Sequence, residues 1–329
     1  MNRTTAHKLG ITLVGALAFI VIPAYGDNFG SGANTFTLDF VNIGNPGNPD
    51  DAGGGEGVYS SPYGGVSYAY RISTFEISQD EITNATASGM TSVTAGAWTG
   101  SQPAANMTWY ETAAFVNWLN TSTGHQPAYN LNGTATALTL WSSGDAWQLD
   151  GENLYRHKDA FYFLPSEDEW YKAAYHQNDG VTANYWDYPT GSNNIPDGLD
   201  FAGDTTFDAV FNQNGFEVAP HAVNNVGLAS AYGTYGQGGN ATEWTETAFF
   251  IPNDVASENR AFRGGIWTNI ENDLRSSIRY QFDPSASANN IGFRVASVPE
   301  PSSALLLFGS GLVFLPRRRA IPSTAPAGN

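Results

Sequence analysis

Arg263-Gly264-Gly265-Ile266-Trp267, followed by Asn290-Ile291-Gly292-Phe293-Arg294, is the stretch on which the reading of this chain turns. It lies in a protein of 329 residues that contains no cysteine. Disulfides, thiolate metal sites and cysteine nucleophiles are therefore excluded. Whatever these two blocks build, they build it without sulfur redox chemistry.

Working outward, charged residues make up only 14% of the chain, while 36 Gly, 9 Trp, 16 Tyr and 19 Phe are present. Such a mix suits a loop-rich globular domain, since disorder goes with few aromatics and many charges. Helical bundles are richer in Ala, Glu, Lys and Leu. Five of the 14 basic residues (Arg3, Lys8, Arg317, Arg318 and Arg319) sit near the two ends. The body between them therefore sets 9 basic residues against all 31 acidic ones, a balance of −22. Phosphate binding needs Lys and Arg to displace counterions, so nucleic acid and anionic lipid are not expected partners.

Arg3 and Lys8 precede an apolar run from Leu9 to Ile22, and Ala24 and Gly26 take the −3 and −1 positions of a cleavage site. That order reads as a secretory signal peptide over residues 1–26, cut by signal peptidase. Without cysteine, the exported core must hold by packing, with or without a bound metal. At the other end, Val298-Pro299-Glu300-Pro301 breaks the regular structure. An apolar run from Ala304 to Leu315 and the cluster Arg317-Arg318-Arg319 follow. Residues 298–329 resemble the Pro-Glu-Pro carboxy-terminal (PEP-CTERM) sorting signal that exosortases process in Gram-negative bacteria. The resemblance implies a protein tethered to the inner membrane before processing. Afterwards it would reside at the cell surface, at the outer membrane or outside the cell.

Residues 27–297 then form a single domain. Thr35–Val41 and Val66–Ile72 alternate with period two, as half-buried strands do. Thr108-Trp109-Tyr110-Glu111 and Ser166-Glu167-Asp168-Glu169 are capping boxes that open helices. From Tyr185 to Gly239 the chain is rich in Asn, Asp, Gly and Pro, which predicts long ordered loops of functional or metal-pinned kind. The expected architecture is α+β, with two main helices, small antiparallel sheets and much irregular chain.

Five segments, in order, resemble the formylglycine-generating enzyme family, also called sulfatase-modifying factors. They are Phe75–Ile82, Asn106–Ala113, Phe163–Trp170, Gly239–Thr245 and Arg263–Arg294. The resemblance implies a loop-rich variant of the C-type lectin fold. The family's enzymes oxidise a cysteine of a sulfatase peptide at a copper ion held by two cysteines. Those positions fall here on Asn269 and Leu274. An amide and an isobutyl group supply neither a soft ligand nor a thiol. Formylglycine generation is therefore not expected, no catalytic residue is assigned, and copper and iron are not expected cofactors.

The resemblance also implies one structural calcium, with Gly239 and Ala241 giving backbone carbonyls and Glu243 its carboxylate. Residues two apart in an extended chain point the same way, and hard oxygen ligands suit calcium. Gly236 stands where the family has a further side-chain ligand. The leading functional reading is a non-catalytic exported domain that binds extracellular polysaccharide or a protein ligand. Trp267 and Asn269 are the candidate ligand-binding residues, and Trp109 and Trp186 are further aromatics able to stack on sugars. The alternative is a divergent metal-dependent oxidoreductase. It would have to draw on His125, His157, His176 and His221, none of which has the His-x3-His spacing of a paired ligand.

Overall fold

Each of the three α-helices among the described residues opens on a capping box. The computed structural model describes residues 26–53, 62–94, 96–250 and 252–299. The segment read as a signal peptide, apart from Gly26, and the sorting tail from residue 300 onward lie outside the described residues. Helices α1 (Gln79–Ala87), α2 (Trp109–Ser122) and α3 (Glu167–Tyr175) start at Ser78, Thr108 and Ser166. In each, the cap hydroxyl accepts the backbone N–H of a glutamate three residues on, whose carboxylate accepts the cap's own N–H. This reciprocal pair satisfies donors that the first helical turn leaves open. The two capping boxes read from the sequence open α2 and α3, whereas α1 was not expected. The Ser78–Glu81 spacing of α1 was in plain view.

The strands are short. They are β1 (Asp27–Phe29), β2 (Phe36–Leu38), β3 (Phe40–Ile43), β4 (Tyr70–Ser73), β5 (Ala146–Trp147) and β6 (Asn153–His157). After them come β7 (Tyr162–Phe163), β8 (Thr242–Ala248), β9 (Arg260–Arg263), β10 (Tyr280–Phe282), β11 (Ile291–Phe293) and β12 (Ala296–Ser297). One four-stranded sheet has the order β3-β4-β12-β7 and another the order β10-β9-β8-β11. The pairs β1-β2 and β5-β6 are separate ribbons. Pairing is antiparallel except between β8 and β11, which run parallel, so the expected all-antiparallel sheets carry one exception. The Val66–Ile72 alternation becomes a strand only from Tyr70. All four residues of β4 are buried there, between β3 and β12. No described helix is long and apolar enough to cross a membrane.

Trp109, Phe115, Phe163, Trp244 and Phe293 are fully buried and belong to one core that joins α2 to both large sheets. Where β1 meets β12, the Asp27 carboxylate accepts Arg71 Nη2 (2.7 Å) and the Tyr162 hydroxyl (2.9 Å). Arg71 Nε also donates to Ser297 Oγ (3.0 Å), so the two ends of the domain are tied at one arginine.

From residue 176 to 241 only isolated bridges occur, as the composition predicted. These loops are pinned by two small apolar clusters of their own. Tyr188, Ala209, Phe211 and Leu274 form one; Leu199, Val210, Val226 and Trp267 form the other. Gly239 anchors their far end. Its φ is +80°, and a Cβ there would lie 2.1 Å from the Val210 carbonyl oxygen, so only glycine fits.

Candidate functional site

Beneath the Arg263–Trp267 segment lies a layer of buried charge. Glu243, on the central strand β8, is fully buried. Its Oε2 accepts Arg294 Nε (2.6 Å) and Trp170 Nε1 (2.6 Å), and its Oε1 accepts Arg294 Nη2 (2.7 Å). Glu167, at the start of α3, accepts Arg263 Nε (2.7 Å) and Arg279 Nη2 (2.6 Å). Burial pushes the Glu167 carboxyl up, but the two guanidinium groups outweigh it and hold it below the usual range. Glu76 Oε1 accepts the Ala241 N–H (3.0 Å), and its Oε2 accepts Asn240 Nδ2 (2.6 Å). Burial, and then the charge of Glu243, hold the Glu76 carboxyl well above the usual range.

The calcium reading assumed an extended run from Gly239 to Glu243, and the backbone departs from it. Gly239 (φ +80°) and Asn240 (φ +57°) are both left-handed, and β8 begins only at Thr242. Gly239, Ala241 and Glu243 therefore do not lie along an extended run, and the two-residue alignment that would bring their oxygens together is absent. Both oxygens of Glu243 are already engaged, one fork of them by a guanidinium that would repel a cation. The three residues as placed do not fit calcium. Among the described residues, no group of three or more His, Asp or Glu side chains could hold a metal ion.

Above the charge layer, a cleft of about 360 Å³ opens between Gly265-Ile266, Asn269, the strand β10 and Asn290. Asn269 lines it. Its Oδ1 accepts the Ile266 N–H (2.8 Å) and fixes the turn that forms one wall. Trp267 does not line it. At 5% exposure it is a core residue, set edge-on to Trp98 with ring centres 5.2 Å apart. Its backbone N–H donates to Asn240 O (3.0 Å), which turns the indole inward. Trp109 is likewise core, its indole donating to Thr245 O (2.9 Å), whereas Trp186 is half-buried. Leu274 is fully buried against Tyr188, Ala209 and Phe211.

Sequence reasoning missed the cleft's aromatic floor. Tyr280 stacks on Phe262 (5.6 Å), Phe262 meets Trp244 edge-on (5.9 Å), and Trp244 stacks on Phe282 (6.1 Å). Tyr280 is 39% exposed at the end of this series. The signal available was the pattern Tyr280-Gln281-Phe282, a period-two pair of aromatics. Tyr280 is also the cleft's one titratable side chain. Burial, and then the Asp273 carboxylate to which its hydroxyl donates, push it up and keep it protonated. The histidines are elsewhere. His125 stacks on Phe161, His157 lies edge-on to Trp141, His176 bonds Tyr232 Oη (3.0 Å), and His221 bonds Glu217 Oε2 (2.9 Å).

Residues 67–298 match the family described as the sulfatase-modifying factor enzyme 1-like domain. The chain belongs to this family. Residues 297–320 match the PEP-CTERM protein-sorting motif, which marks an exported chain processed by an exosortase in Gram-negative bacteria. No curated protein matches the sequence. Among solved structures, the Treponema denticola variable protein 1 is 21% identical, with a TM-score of 0.55 over 83% of this chain and 99% of its own. CarF is 18% identical, with a TM-score of 0.54 over 80% and 99% of the two chains. PvdO from Pseudomonas aeruginosa is 18% identical, with a TM-score of 0.51 over 83% and 98%. These likenesses establish the shared α+β fold of the sulfatase-modifying factor family. The family's motifs are accounted for by the charge layer, because Glu76, Glu167, Glu243, Arg263 and Arg294 come from four of the five segments that carry the resemblance.

Proposed function

We propose that this exported sulfatase-modifying factor domain is a non-catalytic binding module that holds extracellular polysaccharide in the cleft between Asn269 and Tyr280. The observation that carries the reading is the chemistry of the lining. An exposed aromatic ring, backed by stacked aromatics, sits beside two amide side chains, Asn269 and Asn290. An aromatic face packs against the C–H face of a sugar, and an amide offers both a donor and an acceptor to its hydroxyls. The same lining offers no thiol, no histidine and no carboxylate, and its one phenol is held protonated. The Thr242 hydroxyl, which also lines the cleft, donates to the Arg263 carbonyl (2.7 Å) and has no histidine or carboxylate beside it in the lining to activate it as a nucleophile.

The test is binding of the mature chain to extracellular polysaccharide purified from the producing bacterium, read on a quartz microbalance. Tyr280→Ala should weaken binding about tenfold, a loss typical of an exposed aromatic anchor. Asn269→Ala should weaken it less, because its Oδ1 also holds the Ile266 turn. Binding unchanged in both variants, with the fold intact, would remove the cleft from the function. Capture of a protein instead of the polysaccharide would change the ligand class.

A further inference from the structure

A second and larger cleft, of about 570 Å³, lies across the segment from Asp283 to Asn290. Ser285 and Ser287 line it, while Ala288 and Asn290 line the aromatic cleft, so one segment walls both. Its other walls come from the loop at Ser92–Thr94, the start of α2 and the loop at Thr134–Thr136. Seven of the twelve lining residues are Ser or Thr, and Val93, Tyr110 and Ala135 add apolar surface.

Most of the Ser and Thr hydroxyls give their hydrogen to the protein. Ser92 Oγ donates to Gly133 O (3.2 Å), and Thr108 Oγ1 to Glu111 Oε2 (3.0 Å). Ser285 Oγ donates to Asp283 Oδ1 (2.7 Å), Ser287 Oγ to Asn106 Oδ1 (3.3 Å), and Thr94 Oγ1 to Glu111 Oε1. Thr136 Oγ1 accepts Asn132 Nδ2 (3.0 Å) and shares one hydrogen with Thr134 Oγ1 (3.0 Å). A hydroxyl has one hydrogen and two lone pairs. Ser92, Ser285 and Ser287 commit their hydrogen to the protein and offer a ligand acceptor oxygen, whereas the Thr134–Thr136 pair keeps one hydrogen and the Asn106 amide adds N–H donors. A complementary ligand must therefore both donate and accept, as the hydroxyls of a sugar do.

A cation would also meet acceptors, but the lining carries little unsatisfied charge. Glu111, the one carboxylate in it, takes N–H and O–H bonds on both oxygens, from Thr94 and Thr108. The shape is held in advance as well. Ser92 (φ +65°), Asn106 (φ +66°) and Ala135 (φ +49°), all lining residues, are non-glycine residues in the left-handed region. A fold holds such residues there against their local preference, and they gather at binding sites.

We propose that this cleft is a carbohydrate site, in which the hydroxyls of a neutral oligosaccharide donate to the oxygens of Ser92, Thr136, Ser285 and Ser287. It is separate from the aromatic cleft and does not rest on the reading given to that cleft.

The experiment is titration calorimetry of the mature chain with four probes. Maltotetraose and cellotetraose are neutral and hydroxyl-rich, tetraethylene glycol is an ether with few donors, and spermidine is a donor-rich cation. One of the tetrasaccharides should bind, and the glycol and spermidine should not. Thr136→Val and Ser287→Ala should each weaken binding about threefold to tenfold, the loss expected for one hydrogen bond. Val218→Ala, at an exposed residue that lines neither cleft, should leave it unchanged, and melting curves should find every variant folded. The proposal is overturned if neither tetrasaccharide binds, or if the glycol or spermidine binds as tightly. It is also overturned if Tyr280→Ala abolishes binding while Thr136→Val and Ser287→Ala keep it.

Discussion

The charge layer under β8 and the aromatic cleft above it are neighbours with opposite characters. In the layer, Glu167, Glu243, Arg263 and Arg294 are all fully buried and locked to one another or to Trp170 and Arg279. In the cleft, the side chains facing outward are an amide and aromatic rings, and none is ion-paired. The motifs that place the chain in its family sit almost wholly in the first region. Family membership therefore reports on how the fold is held, and says little about what its surface does.

Breaking the layer should have the largest effect. Glu243→Ala leaves the Arg294 guanidinium buried without its counter-charge. A loss of about 3–5 kcal/mol is expected, as for other buried pairs broken on one side. Urea unfolding of the mature domain measures it, and a loss below about 1 kcal/mol would mean that water or a neighbour rescues the arginine.

Next in size is the cap of α1. Ser78→Ala removes one half of a capping box and should cost about 1 kcal/mol, read as a lower urea midpoint with an unchanged slope. A neutral result would mean that α1 is held by packing alone.

A pH effect is expected at Asp168, whose carboxyl accepts the Gly64 N–H (2.9 Å) and is pushed by burial up to about 7. Its folded pKa lies above the unfolded value, so the folded state holds a proton that the unfolded chain releases. Stability is thus lost as pH rises from about 4 to about 7 and stays lost above that. Asp168→Asn, which keeps the acceptor, should stabilise the fold more at pH 8 than at pH 5. Equal gains at both would show that the group titrates normally.

The cleft should behave in the contrary way. Tyr280→Ala removes a half-exposed ring from the end of the stack and should change stability by about 0.5 kcal/mol or less while affecting ligand binding. The smallest effect is expected from calcium. A folded-state site would give about 4 kcal/mol at a thousandfold excess over its dissociation constant. With Glu243 held by Arg294, the melting temperature should be the same in chelator and in millimolar calcium. A clear upward shift would return calcium to the fold.

The helices around the layer were legible because they are written in local patterns, whereas the pairing of Glu167 and Glu243 with their arginines was not read. Capping boxes announce α2 and α3, and the absence of cysteine settles the loss of thiol chemistry. What was not legible depends on backbone sign and on distance along the chain. Asn240 carries no mark of its positive φ, yet that angle takes Gly239 out of line with Glu243. Trp267 and Tyr280 are both aromatic residues near the same segment. Which one faces outward is decided by the Trp267–Asn240 backbone bond and by the cluster around Val210, contacts made with residues far away in sequence.

Arg71, which joins Asp27 to Ser297, has a mechanical consequence. Strand β12 is the last regular element before the sorting tail, and it is an interior strand, paired with β4 on one side and β7 on the other. A pull on the tail is therefore resisted by hydrogen bonds along both edges of that strand, and by the Arg71–Ser297 contact beside them. The load does not fall on an edge strand, which could peel away one bond at a time. On the proposed function, drag on a bound polymer would pass into the sorting segment through the middle of a sheet.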